Sequence, residues 1–197
     1  MQGAILLLAA GSSKRMGKPK LLLPYNGRTL LWHAANAAKM ANLGPVVIVT
    51  GELNAPIRNN LADLNVSFVH NPNWSEGMAS SIVAGMNYLT NLQPVPEAVV
   101  IMVSDQPAVN EGLLTKLWLI WLESGKPITA SGYADQVGTP AVFAQLLFSE
   151  LLQLKGDAGA KKLIKNNPDL VSLVEFPDGL TDIDTPEDYE KLKKAGE

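Results

Sequence analysis

The sequence predicts an α/β fold built on a mostly parallel sheet, and three observations carry that prediction. Ala4 to Ala10 is a short apolar run without alternation, the pattern of a strand buried on both faces. Ala98 to Val103 is a second run of the same kind. Over residues 4–69, strand-like and helix-like segments alternate, which is the rhythm of a parallel sheet with crossover helices.

The elements follow in order. After the first strand, Thr29 caps a helix to about Met40, with Leu30, Ala34, Ala37 and Ala38 facing inward. Gly44-Pro45 breaks the chain, and Val46 to Val49 is a second buried strand. A helix over Ala55–Asp63 and a strand over Val66–Val69 come next. His70 to Gly77 is a polar loop, and a helix starts at Met78 and runs to about Leu92. Met78, Ile82, Met86 and Leu89 share one of its faces and read as core. The strand Ala98–Val103 ends in Ser104-Asp105-Gln106-Pro107. Asn110 caps a helix through Glu123, in which Leu113, Leu114, Leu117, Trp118, Ile120 and Trp121 cover much of the circumference. We expect that helix to pack into the core, with a subunit contact as the alternative. Strands at Ile128–Tyr133 and Ala141–Phe143 flank Gly138-Thr139-Pro140. Helices near Ala144–Leu154 and Ala158–Asn166 precede a late strand, Val171–Phe176. Thr181 to Asp184 is short and extended. Thr185 caps a last helix, with Pro186 at its first position and acids in its first turn.

Length and composition fit one domain spanning 1–197, with no repeat or domain-sized linker. At 47% apolar residues the chain is globular. It has no cysteine, hence no disulfide framework and no thiolate chemistry, which suits a reducing cytoplasm. The net charge is −3, and no Lys or Arg occurs between Arg58 and Lys116, so we expect no nucleic-acid partner. The first apolar run is short and lacks a basic segment before it, so it does not read as a signal peptide. No stretch reads as a membrane span.

The chemistry gathers after the first strand. Gly11 and Ser12-Ser13 are followed by Lys14, Arg15, Lys18 and Lys20, four cations within seven residues. Ligands of open α/β sheets bind at the carboxyl ends of strands. Small residues there let backbone N–H groups approach an anion, and the cations supply countercharge. We therefore read this loop as the cradle of a nucleotide triphosphate. A dinucleotide fingerprint does not fit, because the glycine after Gly11 is Gly17; a Walker A loop does not fit, because Pro19 follows Lys18. The plain alternative is a polar surface loop with solvated lysines.

Asp105 lies just past an apolar strand, so it faces the same crevice, and a Mg²⁺ bridging to phosphate oxygens would give its charge a purpose. Its alternative is a turn residue bonding its own backbone before Pro107. Asp182 and Asp184 point to one side of an extended segment, and one of them is placed to complete a metal site; as residues alone, both also read as caps. His33 and His70 have no metal-type partner at short spacing and read as structural.

Together these residues resemble the MobA-like nucleotidyltransferases of molybdenum cofactor maturation. The signature L-A-[AG]-G-x-[SG]-x-R-[MF]-G-x-x-K-x-L is present as Leu8-Ala9-Ala10-Gly11-Ser12-Ser13-Lys14-Arg15-Met16-Gly17-Lys18-Pro19-Lys20-Leu21-Leu22. Ala10 resembles the cytidylyltransferase branch, which reads L-A-A-G, more than the guanylyltransferase branch, which reads L-A-G-G. Gly77-Met78-Ala79-Ser80-Ser81 is similar to a G-M-x-S-S segment, and Val103 to Pro107 to a metal-binding L-x-D-x-P. Gly138-Thr139-Pro140 with Phe143 resembles G-H-P-x-x-F, Gly156-Asp157 through Lys161 resembles G-D-x-G-A-R, and Asp182 to Asp188 reads D-I-D-T-P-E-D. The chain departs from the pattern at Thr139, where the branch carries His, and at Lys161, where it carries Arg. Both segments lie on the acceptor side.

The resemblance implies a Rossmann-like three-layer sandwich of the nucleotide-diphospho-sugar transferase type, nucleotide-binding in its N-terminal half and acceptor-binding in its C-terminal half. It implies transfer of CMP from CTP to molybdopterin or its molybdenum form, with Mg²⁺ as cofactor, pyrophosphate as product and a client molybdoenzyme as a further partner. Arg15, Lys20 and Asp105 are then catalytic. Leu8, Ala9, Ala10, Gly11, Ser12, Ser13, Lys14, Arg15, Lys20, Gly77, Ser80 and Ser81 bind the nucleotide, the two serines at base or ribose. Asp105 with Asp184 or Asp182 holds the metal; Gly138, Thr139, Pro140 and Asp157 meet the acceptor. The alternatives are a GTP-dependent guanylyltransferase, a sugar-phosphate nucleotidyltransferase, a non-catalytic accessory protein that binds a nucleotide or cofactor, and a redox module, which the missing dinucleotide fingerprint disfavours.

Overall fold

A computed structural model describes residues 2–11, 18–134, 136–157, 159–180, 182–183 and 185–195. In chain order the strands are β1 (Gly3–Ala9), β2 (Pro24–Tyr25), β3 (Arg28–Thr29), β4 (Val46–Thr50), β5 (Ser67–His70), β6 (Ala98–Val103), β7 (Ile128–Tyr133), β8 (Gln136–Ala144) and β9 (Val171–Glu175). The helices are α1 (Leu30–Met40), α2 (Asn54–Asn60), α3 (Met78–Thr90), α4 (Glu111–Ser124), α5 (Phe148–Leu152), α6 (Lys161–Asn166) and α7 (Pro186–Ala195).

Among the described residues, seven strands form one sheet in the order β5-β4-β1-β6-β8-β7-β9. Every pairing is parallel except those of β8 with β6 and β7. All seven residues of β1 and all five of β4 are buried, which is why both read as unbroken apolar runs. Their side chains alternate between two cores. Ile5, Leu7 and Ala9 join Leu31 of α1, Ile57 of α2 and Leu114 of α4 on one face. Ala4, Leu6 and Leu8 join Met86 of α3, Leu151 of α5 and Ile164 of α6 on the other. The result is three layers, helix–sheet–helix. Full burial of each Leu or Ile in these cores contributes about 1.5–3 kcal/mol.

The topology fixes where a ligand can sit. The chain runs outward from β1 to β4 and β5, then returns to place β6 on the other side of β1. The strand order therefore reverses between β1 and β6, and in open α/β sheets ligands bind in the crevice outside the carboxyl ends of the strands at such a switch point.

The helix caps follow the sequence signals. Thr29 Oγ1 accepts from Trp32 N at 3.1 Å, and Asn110 Oδ1 accepts from Leu113 N at 3.0 Å. Thr185 and Asp188 form a reciprocal capping box: Asp188 N donates to Thr185 Oγ1 (3.2 Å) and Thr185 N to Asp188 Oδ2 (2.9 Å). Tyr189 Oη donates to the Pro24 carbonyl, which ties α7 to the β2–β3 ribbon.

Five expectations need correction. Gly138-Thr139-Pro140 is not a loop between strands but part of β8, which runs back to Gln136 as a hairpin with β7. The register with β7 shifts there, between Ala130 and Ser131. Pro140 has no N–H to offer a ladder, so an irregularity is where a strand tolerates it. Helix α2 stops at Asn60, short of Asp63. The helix expected over Ala144–Leu154 is a 3₁₀ turn, Gln145–Leu147, followed by the short α5, and α6 starts at Lys161. Met78 is not core: it is the first residue of α3 and 46% exposed, whereas Ile82, Met86 and Leu89 are fully buried. The β2–β3 ribbon was not anticipated, although Asn26-Gly27 is a strong hairpin signal; both residues have positive φ, 43° and 79°. Of the extended segment Thr181–Asp184, positions 181 and 184 lie outside the described residues. Helix α4 packs into the core through Leu113, Leu114, Leu117 and Trp118, while Leu119 and Leu122 are exposed on its other side.

Candidate active site at the β1/β6 switch point

The ends of β1 and β6 are locked together. Ser104, buried, donates its Oγ hydrogen to the Leu8 carbonyl at 2.9 Å. The next residue, Asp105, thereby stands at the switch point with its side chain 27% exposed. Lys20 opens the 3₁₀ turn that follows the cationic loop. Its Nζ lies 2.8 Å from Asp105 Oδ2, and its side chain is only 13% exposed. Two residues 85 apart in sequence are joined at the crevice by a half-buried ion pair.

A third segment reaches the same point. Ile183 N donates to the Asp105 carbonyl at 3.0 Å, which carries Asp182 to the edge of the crevice. Tyr133, at the end of β7, lies beside it. Burial raises the phenol's pKa, the negative charge of Asp182 raises it further, and the Gln106 amide works the other way. Tyr133 therefore stays a neutral O–H donor at physiological pH. Its hydroxyl packs where a side chain at Gly138 would stand, so Gly138 makes room for the phenol.

A second cluster lies at the far end of the sheet edge. Gly77 has φ of +109°, and a Cβ there would lie 2.5 Å from the Gly156 carbonyl oxygen and 2.6 Å from Asp157 Oδ1. Ala79 N donates to that same Gly156 carbonyl at 3.1 Å. The loop before α3 and the Gly156-Asp157 turn are thus closed against each other. Asn71, buried after β5, donates to Ser80 Oγ (2.9 Å) and Ser81 Oγ (3.0 Å). Ser80 Oγ in turn lies within bonding distance of the Asn73 and Gly77 carbonyls. These hydroxyls fix the 71–77 loop. Ser81 is buried, and Ser80 lines a cleft of about 590 Å³ on the flank of α3. Gly77→Ala should therefore destabilise the protein by about 2–3 kcal/mol, from positive-φ strain plus backbone collision. A chemical-denaturation midpoint checks this; an unchanged midpoint would mean the loop has room to move.

Leu8 and Ala9 are buried in β1, and Ala10 and Gly11 lie just beyond its end. Lys20, Asp105 and the Asp182 segment converge; Gly77, Ser80, Ser81 and Asp157 converge elsewhere along the edge; Gly138, Thr139 and Pro140 lie in the irregular part of β8 beside Tyr133. Ser12, Ser13, Lys14, Arg15 and Asp184 lie outside the described residues. Sequence reasoning missed Asn71, Gln106 and Tyr133. A polar residue directly after a strand was a usable signal for Asn71.

No three His, Cys, Asp or Glu side chains gather as a ready metal cluster among the described residues. Asp105 and Asp182 still fit a hard divalent cation, because one or two carboxylates plus phosphate oxygens are the set Mg²⁺ takes.

Residues 5–171 match the family model of the MobA-like NTP transferase domain. The chain belongs to that family. Its solved structural neighbours include nucleotidyltransferases of the nucleotide-diphospho-sugar transferase fold. Among curated members, nicotine blue oxidoreductase of Paenarthrobacter nicotinovorans is 35% identical, the match covering 95% of this chain and 94% of that protein. Purine catabolism protein PucB of Bacillus subtilis (strain 168) is 28% identical over 96% and 95%. The molybdenum cofactor cytidylyltransferase of Escherichia coli (strain K12) is 22% identical over 96% and 94%. Among solved structures, Rv0371c of Mycobacterium tuberculosis H37Rv superposes with a TM-score of 0.80 at 31% identity, covering 98% of this chain and 97% of that one. A complex of Rv0371c with manganese superposes with a TM-score of 0.80 at 27% identity, covering 99% and 100%. As a MobA-like domain, the chain is an enzyme of the nucleotidyltransferase class. Among the described residues, no helix is long and apolar enough to cross a membrane.

Proposed function

We propose that this MobA-like domain transfers CMP from CTP to the phosphate of molybdopterin or its molybdenum form, releasing pyrophosphate. The observation that carries the reading is the Lys20–Asp105 pair at the β1/β6 switch point, 2.8 Å apart, directly after the cationic loop. It sets a cation for phosphoryl oxygens beside a carboxylate for a metal.

An acceptor phosphate oxygen attacks the α-phosphorus, the bond from that phosphorus to the bridging oxygen breaks, and pyrophosphate leaves with the electron pair. The attacking phosphate is already ionised, so no general base is needed. The protein contributes position and charge neutralisation. Lys20 neutralises the α-phosphoryl oxygens, and Arg15 grips the β- and γ-phosphates with its planar fork. Backbone N–H groups of residues 10–14 line the triphosphate. Asp105, with Asp184 or Asp182, holds the metal. When bound, Mg²⁺ would supply charge neutralisation on the phosphates as pyrophosphate departs. Ser80 and Ser81 contribute to base or ribose recognition through the loop they fix. Gly138, Thr139, Pro140 and Asp157 belong to the acceptor side.

In this reading residues 1–197 act as one domain in the cytoplasm, with nucleotide-binding and acceptor-binding halves, and a molybdoenzyme receives the product. Arg15→Ala should slow pyrophosphate release about 100-fold. Single-turnover assays at saturating CTP check this, and an unaltered rate would remove Arg15 from the triphosphate.

A second reading has its own support, because nicotine blue oxidoreductase is 35% identical along nearly the whole chain. One experiment separates the two. The protein is incubated with each NTP, Mg²⁺ and molybdopterin, and pyrophosphate is followed; in parallel, oxidation of NADH and NADPH is followed with a dye acceptor. CTP-dependent pyrophosphate release supports the transferase. GTP-dependent release alone moves the assignment to a guanylyltransferase. Nicotinamide oxidation without any pyrophosphate makes the chain a redox enzyme.

A further inference from the structure

Beside Asp105 lies a buried amide that the proposed chemistry does not use. Gln106 is 4% exposed. Its Nε2 donates to the Gly179 carbonyl at 3.2 Å, across 73 residues of sequence. Its Oε1 is buried without a hydrogen-bond partner. Packing alone does not call for such a residue, because Met or Leu would fill similar space and bury no unpaired acceptor.

The amide's bond falls on the segment that brings Asp182 to the site. That segment leaves the end of β9 at Phe176, whose N donates to the Gly132 carbonyl at 2.8 Å. It turns at Gly179, whose N donates to the Phe176 carbonyl at 2.9 Å. Four residues later it meets Asp105, through the bond from Ile183 N. One short turn of chain, Asp105-Gln106, therefore holds it at two points, residues 179 and 183. The Tyr133 and Phe176 rings, edge to face with centroids 6.4 Å apart, close its inner side.

We propose that Gln106 is a positioning residue for the metal–nucleotide site, its amide fixing the segment that sets Asp182 beside Asp105. The proposal rests on the metal reading of Asp105. Losing a group that orients a metal-binding carboxylate typically costs about 10–100-fold in metal affinity or activity; the Gln106 amide touches the segment of Asp182 at Gly179 and no reacting atom, so here the loss should fall on affinity. Losing the tether should then weaken the metal while leaving turnover at saturating metal within about threefold.

Gln106→Met keeps the volume and removes the amide. Gly179→Ala disturbs the same segment from its other side, because a Cβ there would lie 2.6 Å from both the Tyr133 and Phe176 rings. Binding is read from the electron paramagnetic resonance signal of free Mn²⁺ titrated into protein with CTP, after subtraction of the same titration of CTP alone, alongside melting temperature and the Mn²⁺ dependence of turnover. The expected result is a Mn²⁺ dissociation constant raised about 10-fold or more in both variants, with Gln106→Met melting near wild type. Wild-type Mn²⁺ affinity in both variants would overturn the proposal alone. So would a Gln106→Met protein that melts far lower while Gly179→Ala binds Mn²⁺ normally, since the amide would then serve stability. A wild-type protein that binds no Mn²⁺ with CTP would overturn the metal reading and this proposal together.

Discussion

Asp105→Asn is expected to slow pyrophosphate release from CTP about 100- to 1,000-fold, the loss seen when one preorganised electrostatic group is removed from an active site. The substitution keeps the side chain's shape and removes its charge. Asp105 is held at the switch point by backbone, through the Ser104–Leu8 bond and the bond from Ile183 N, and neither involves its carboxylate. The fold should therefore survive. What disappears is an ion pair whose members are 13% and 27% exposed, and the Lys20 ammonium loses a counter-charge in a poorly solvated place, so stability should fall by about 1–3 kcal/mol. The melting temperature should fall by about 3–10 °C. Near-normal turnover in this variant would remove the metal role from Asp105.

Lys20→Met should cost a similar factor for a different reason. The ammonium is a point charge aimed into the crevice from the turn that closes the cationic loop. It counters charge that builds on the α-phosphoryl oxygens only as the reaction proceeds, so its loss should fall on kcat more than on KM for CTP. Lys20 and Asp105 touch, so their effects should not add: the double variant should be no more than about threefold slower than the worse single one. Fully multiplicative losses would show that the two residues serve separate sites.

The parts of this fold that local chemistry specifies were legible in the sequence. β1, β4 and β6 read as strands because burial on both faces leaves them almost wholly apolar, Thr50 at the end of β4 being the polar exception. Thr29, Asn110 and Thr185 announced their helices because a cap is a bond between residues three apart. Lys20 and Asp105 each follow an apolar strand, and the two meet; Ser12 to Arg15, read as part of the same cradle, lie outside the described residues. What was illegible is set by distant partners. The extension of β8 depends on its hairpin with β7, and Pro140 disguised it as a loop. Gln106 and Tyr133 look ordinary until Gly179 and Asp182 come back to meet them. Met78 carries the helical spacing of a core residue, but it is the first residue of α3 and is 46% exposed, while Ala79 and Ser81 of the same turn are buried.

One crevice between the cationic turn and Asp105, spanned by a metal-bound nucleotide, is the premise of every functional statement above. Amide resonances of the ¹⁵N-labelled protein, recorded while Mn²⁺ is added in the presence of CTP, test it directly, because the ion broadens only nearby signals. Ala10, Gly11, Lys20, Asp105, Gln106 and Ile183 should broaden together at the lowest Mn²⁺ concentrations. Broadening that spares Lys20 and Asp105 and begins elsewhere on the sheet edge would contradict it.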